Sequence, residues 1–131
     1  MKKSKAEYIK YRVKRADEAF LSAIILAQAE SWNACISQLY YASFYIVSAL
    51  LLDIDIQPKT HKGVKISFLN HFVKSGLVKK KFGVLYSNLH DWRSESDYAD
   101  FIDFDKEHIL SLLPESENFI KEIKSKIKYY E

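Results

Sequence analysis

The chain has 131 residues, enough to bury a real core and too few for two ordinary domains. Its 20 Lys and Arg against 17 Asp and Glu leave a formal charge of +3, too little to mark a nucleic-acid binder on charge alone. A single cysteine excludes an internal disulfide, and three glycines with two prolines leave few turn residues, so long helices joined by few loops are expected.

The first expected helix opens at Ser4, with Glu7 three residues on in a capping-box pattern. Ile9, Val13, Ala16, Phe20, Ala23 and Ala27 recur at the spacing of one buried stripe, and the helix ends near Glu30-Ser31. Ser31 is placed to cap a second helix running to about Leu52. No charged residue stands between Glu30 and Asp53, a length that would cross a bilayer. Ser37, Gln38, Ser43 and Ser48, with three tyrosines in mid-span (Tyr40, Tyr41, Tyr45), oppose that reading, because tyrosine prefers the membrane interface. A central helix buried on all sides is expected instead, with Cys35 as one of its small core residues.

A loop follows from Asp53 to Lys59. Thr60 is a plausible cap for the third helix, whose stripe is Val64, Phe68, Leu69 and Phe72, and Gly76 fits the position just past its end. The fourth helix carries Phe82, Leu85, Tyr86, Leu89 and Trp92 and ends near Tyr98. Asp105 is placed to cap the fifth helix, which continues with Ile109, Leu112, Leu113, Ser116, Phe119, Ile120, Ile123 and Ile127, and a kink is expected at Pro114. The fold expected is all-α, an up-and-down bundle of about five helices forming a single domain over residues 1–131. The N-terminus is Lys-rich but lacks the apolar run of a signal peptide, so a cytoplasmic protein with no membrane association is expected.

Charge is segregated along the chain. Residues 2–15 hold seven Lys or Arg against Glu7 alone, whereas residues 91–107 hold seven acids against Arg93 and Lys106. Such asymmetry sets the register of a partner complex or simply solvates helix faces. His61, His71, His90 and His108 contain no pair at the i, i+4 spacing of a helical zinc site, so no metal is expected on them. Glu95, Asp97 and Asp100 would be the carboxylates of a magnesium site, or a solvated helix end. No phosphate-cradling glycine loop or nucleophile elbow is present, and no cofactor is expected.

Arg93 remains as the chief candidate for chemistry, because a guanidinium grips phosphate oxygens with two prongs. His90 and Asp97 share its helix face, so an Arg93–Asp97 ion pair is the simplest alternative role.

Three blocks, SQLYYASFYIVSALLL at 37–52, THKGVKISFLNHFVKSG at 60–76 and WRSESDYADF at 92–101, together resemble the HEPN family, the higher-eukaryote and prokaryote nucleotide-binding domain. The similarity is narrower to its small prokaryotic branch with a double tyrosine and an Arg-x4-Tyr ending. It implies a helical bundle that pairs as a homodimer, often encoded beside a small nucleotidyltransferase-like partner as toxin and antitoxin, and a possible RNA or nucleotide ligand. Active members are metal-independent ribonucleases in which an arginine steadies the phosphate and a histidine four to six residues later moves the proton. Arg93 matches that arginine, and Tyr98 stands where the histidine would be. A phenol with an ordinary pKa of about 10 is a weak base at neutral pH, which leaves Tyr98 and the upstream His90 as the two candidates for proton transfer. In some relatives a tyrosine near the motif is modified by the partner enzyme, and Tyr98 would be that acceptor here.

Overall fold

A computed structural model describes residues 3–98 and 104–128, with the side chains of the fourth helix described through Ser94. Among the described residues the chain forms five α-helices: α1 (Lys5–Gln28), α2 (Trp32–Asp53), α3 (His61–Phe68), α4 (Lys80–Tyr98) and α5 (Lys106–Lys126). The all-α bundle expected from the periodicity is what is found.

Helix α2 is the centre, packed by α1, α3, α4 and α5. Ile36, Leu39, Tyr40, Ile46, Val47, Leu50 and Leu51 have no exposed surface. Burying each such aliphatic side chain is worth roughly 1.5–3 kcal/mol, and this decides where α2 lies. By length and composition α2 could cross a membrane, but most of its apolar stretch is buried inside the bundle, as in the core helix of a folded domain. Its small Ala42 and Ala49, together with Ala16, Ala19 and Ala23 on α1, belong to the same buried core and leave little bulk between the two helices. Aromatic rings close the other side: Phe119 of α5 lies against Phe68 of α3 and against Phe82 and Tyr86 of α4, with centroids 5.5–6.2 Å apart across this cluster.

The helix ends carry two departures from expectation. Ser4 and Glu7 form the full capping box, and Thr60 Oγ1 accepts from the Gly63 amide, as the sequence implies. Ser31 and Asp105 occupy the cap positions without a side-chain cap bond. The chain instead leaves α1 and α2 through residues in the left-handed region, Glu30 (φ 59°) and Asp55 (φ 63°). At both ends the following amides (Ser31, Ile56) reach back to Leu26 and Leu51 at 2.9 Å, capping the carbonyls without glycine. Gly76 (φ 84°) performs the same reversal after the third helix, where glycine was expected.

The third helix is not uniform. After Phe68 the backbone widens into a π-helical turn over Leu69–Val73, so the stripe of Val64, Phe68 and Phe72 is kept inward across a change of pitch. At Gly83 of α4 an added Cβ would lie 3.0 Å from both Val73 methyls, so the glycine lets α4 approach that turn. In α5 the helical backbone runs on through the exposed Pro114. The end of α5 is tied to α2 by buried Asp53, whose Oδ2 accepts from the Lys128 amide at 2.9 Å.

Candidate functional site

The site grows from Tyr40, one turn below the middle of α2. Its ring is fully buried, yet its hydroxyl reaches the Nδ1 of His61 at 2.6 Å. His61 is the first residue of α3, and the Thr60 cap fixes where that helix starts. Phe44, one turn along α2, lies against the imidazole with centroids 4.5 Å apart. Helix α4 completes the group from the far side: Tyr86 packs on Tyr40, the His90 ring meets Tyr40 edge-on at 5.8 Å, and Arg93 follows one turn later.

The Arg93 guanidinium carbon lies 5.3 Å from the Tyr40 ring centre and 5.5 Å from that of Tyr41. Two aromatic faces therefore hold the cation over the cluster, an attraction of about 0.5–2 kcal/mol per ring depending on desolvation. The side chain is half-buried and lies against the protein. Of the three candidates named from the sequence, the structure brings Arg93 and His90 together. Tyr98 ends α4, and its side chain lies outside the described residues. The Asp97 half of the alternative ion pair, and the Glu95, Asp97 and Asp100 carboxylates, also lie outside them.

Electrostatics give the members different proton states. Burial pushes the Tyr40 phenol up to about 12, with the neighbouring Tyr86 hydroxyl and Arg93 acting in the opposite sense. Tyr40 is thus a protonated donor at neutral pH, and an O–H donated to Nδ1 places the proton of a neutral His61 on Nε2. Burial, then the positive field of Arg93 and the proximity of His90, hold His61 below its ordinary value, so the neutral imidazole is favoured. Tyr86, fully buried behind Tyr40, is raised well above its usual range by burial, and its hydroxyl completes no hydrogen bond of good geometry.

His90 is oriented differently. Its Nδ1 lies 3.2 Å from Oδ1 of Asp91, a carboxylate that Lys65 approaches at 3.9 Å. A carboxylate accepts only, so the contact requires a proton on Nδ1 of His90. The two imidazoles are thus held through Nδ1 in opposite senses, His61 accepting and His90 donating, and both pack on the Tyr40 ring that also carries the guanidinium.

From the sequence, Tyr40 figures only as a tyrosine opposing a membrane span and His61 only among the histidines without zinc spacing. Both stood in the quoted motif blocks, but they are 21 residues apart, and only the packing of α3 across α2 shows that they touch.

The chain matches the HEPN domain over residues 9–126. A Thermotoga maritima protein named "UPF0332 protein" is 33% identical over 124 residues, covering 95% of this chain and 94% of that one. In Methanocaldococcus jannaschii, "Putative toxin MJ0605" is 30% identical over 125 residues (93% of this chain, 90% of that protein). "Putative toxin MJ0142" from the same organism is 29% identical over 112 residues, 86% of this chain and 76% of its own length. With the family match spanning nearly the whole chain and an all-helical bundle beneath it, this chain belongs to the HEPN domain family.

Proposed function

We propose that this chain is the toxin-type member of a two-gene pair and acts on RNA as a metal-independent endoribonuclease. The observation that carries the reading is the seating of Arg93 on Tyr40 and Tyr41 beside two differently oriented imidazoles. The names of the two archaeal relatives support the toxin role.

In this reading Arg93 binds the non-bridging oxygens of the scissile phosphate, and the Nε2–H of His61 donates to the same group as charge develops. His90 Nε2 takes the proton of the ribose 2′-hydroxyl while the 2′-oxygen attacks phosphorus. The bond to the 5′-oxygen breaks, His90 returns its proton to that oxygen, and a 2′,3′-cyclic phosphate and a 5′-hydroxyl result. Tyr40 positions His61 and keeps its tautomer. The RNA-cleaving unit is a single domain acting in the cytoplasm as a homodimer, with a small nucleotidyltransferase-like protein as its partner.

The test is cleavage of a mixed single-stranded RNA pool by the full chain in excess chelator. Cleavage is expected, with Arg93→Ala abolishing it and His90→Asn and His61→Asn each lowering it at least tenfold. An intact chain that leaves the pool uncut, or cleavage that survives all three substitutions, overturns the reading. Light scattering showing only monomer at micromolar concentration would remove the dimer.

A further inference from the structure

Two hollows outside the Arg93 cluster continue from it in one direction. The first, a cleft of about 280 Å³ between α1 and α2, is lined by Tyr41, Tyr45, Arg15, Glu18 and Gln38 among others. Tyr41 is shared: Arg93 rests on its ring, and it also forms a wall of this cleft. Arg15 closes the far side, its guanidinium carbon 5.4 Å from the Tyr45 ring centre. The second hollow, about 560 Å³, lies further along α1 and is lined by Tyr8, Tyr11, Lys3, Lys10 and Lys14 with Glu7.

Helix geometry links the two. Tyr8, Tyr11 and Arg15 stand at i, i+3 and i+7 and so share one face of α1, rising roughly 10 Å along its axis. Tyr8 is 47% and Tyr11 58% exposed, unusual for rings that packing within the bundle would otherwise claim. Both carboxylates nearby are engaged: Glu7 Oε1 accepts from the amide of the cap residue Ser4, and Glu18 lies 3.9 Å from Arg15. Exposed aromatic faces alternating with cations are what a flexible polyanion with flat bases needs, stacking from the rings and neutralisation from the ammonium and guanidinium groups.

We infer that the line from Tyr41 and Tyr45 through Arg15 to Tyr11 and Tyr8 is a track for single-stranded RNA leading away from the Arg93 site. The inference rests on the reading that Arg93 receives a phosphodiester, and it adds residues that nothing in that reading uses. The strand lies along α1 with bases against Tyr45, Tyr11 and Tyr8, and with its phosphates facing Arg15, Lys14 and Lys10. An acidic peptide would match the cations but would gain nothing from the rings. The rings therefore favour RNA over an acidic protein segment.

The test uses the full chain carrying Arg93→Ala and a fluorescent single-stranded 2′-O-methyl RNA decamer, which cannot be cleaved through a 2′-hydroxyl. Fluorescence anisotropy is expected to show binding that weakens about 5- to 100-fold in the Tyr8→Ser/Tyr11→Ser double variant and in Tyr45→Leu. Arg15→Gln should reduce the salt slope by about 0.7. A hexaglutamate peptide at the same concentration should not compete. Because cleavage is disabled throughout, loss of the track and loss of the ribonuclease reading are read separately. Equal decamer affinity in the tyrosine variants, with unchanged helical circular dichroism, overturns the track. So does a peptide that displaces the decamer, which would assign the surface to an acidic protein.

Discussion

Replacing Tyr40 by phenylalanine isolates the contact on which the site is built. The ring stays, so the packing against Tyr86, Phe44 and His90 is preserved, and only the hydroxyl 2.6 Å from His61 Nδ1 is lost. Stranding one partner of a buried hydrogen bond costs about 1–3 kcal/mol. His61 is half-buried and can turn part of its ring to water, while phenylalanine avoids the cost of burying a hydroxyl, so the low end applies: about 1 kcal/mol. For a chain of this length that is a fall of about 3–6 °C in Tm, readable by thermal circular dichroism at pH 7.5. The same variant should raise the pH at which His61 titrates by NMR, because the neutral ring loses the donor that favours it. A Tyr40→Phe protein as stable as the parent, with an unshifted His61, would show that the short contact contributes nothing and would refute the assignment of Tyr40 as the residue that positions His61.

Four other outcomes follow from the same packing. His61 is held below its ordinary value in the fold, so the unfolded chain binds the extra proton first; urea midpoints should fall as pH drops below about 6.5, and His61→Gln should flatten that dependence. Phe119→Ala empties the contact point of Phe68, Phe82 and Tyr86 and should cost about 3–5 kcal/mol by urea denaturation, a loss below 1 kcal/mol contradicting the core described. Glu30→Gly relieves a left-handed residue and should raise stability by about 0.5–1 kcal/mol, its exposed contact to Lys106 being worth little. Burial pushes the Cys35 thiol up to about 11, so a thiol reagent at pH 8 should label it only after denaturant is added.

The helices were legible because each carries one apolar stripe, and α2, apolar on every side, has only one place in such a bundle. The capping box at Ser4, the cap at Thr60 and the reversal at Gly76 are written in local chemistry and were read correctly. Glu30 and Asp55 were not, since neither residue type marks the left-handed region, and the conformation goes with the local bonds from Ser31 and Ile56 back to Leu26 and Leu51. The π turn at Leu69–Val73 was hidden for a related reason: the inward stripe survives the change in pitch, so periodicity alone sees one continuous helix. In the site, Arg93 and His90 could be found because one turn of helix separates them. Tyr40 and His61 meet only when α3 folds back over α2, a pairing that depends on the path of the loop between them.

That dependence gives the site a weak point distinct from the core. His61 opens a helix of eight residues held by a threonine cap and a short connection, whereas Arg93 and Tyr40 sit on helices more than twice as long. Fraying of α3 from its start would carry the imidazole away while the remaining bundle stayed melted nowhere, a local opening far less costly than global unfolding. Hydrogen exchange at the first amides of α3 would then run ahead of the rest, and the protein would spend a fraction of its time intact in shape with His61 parted from Tyr40.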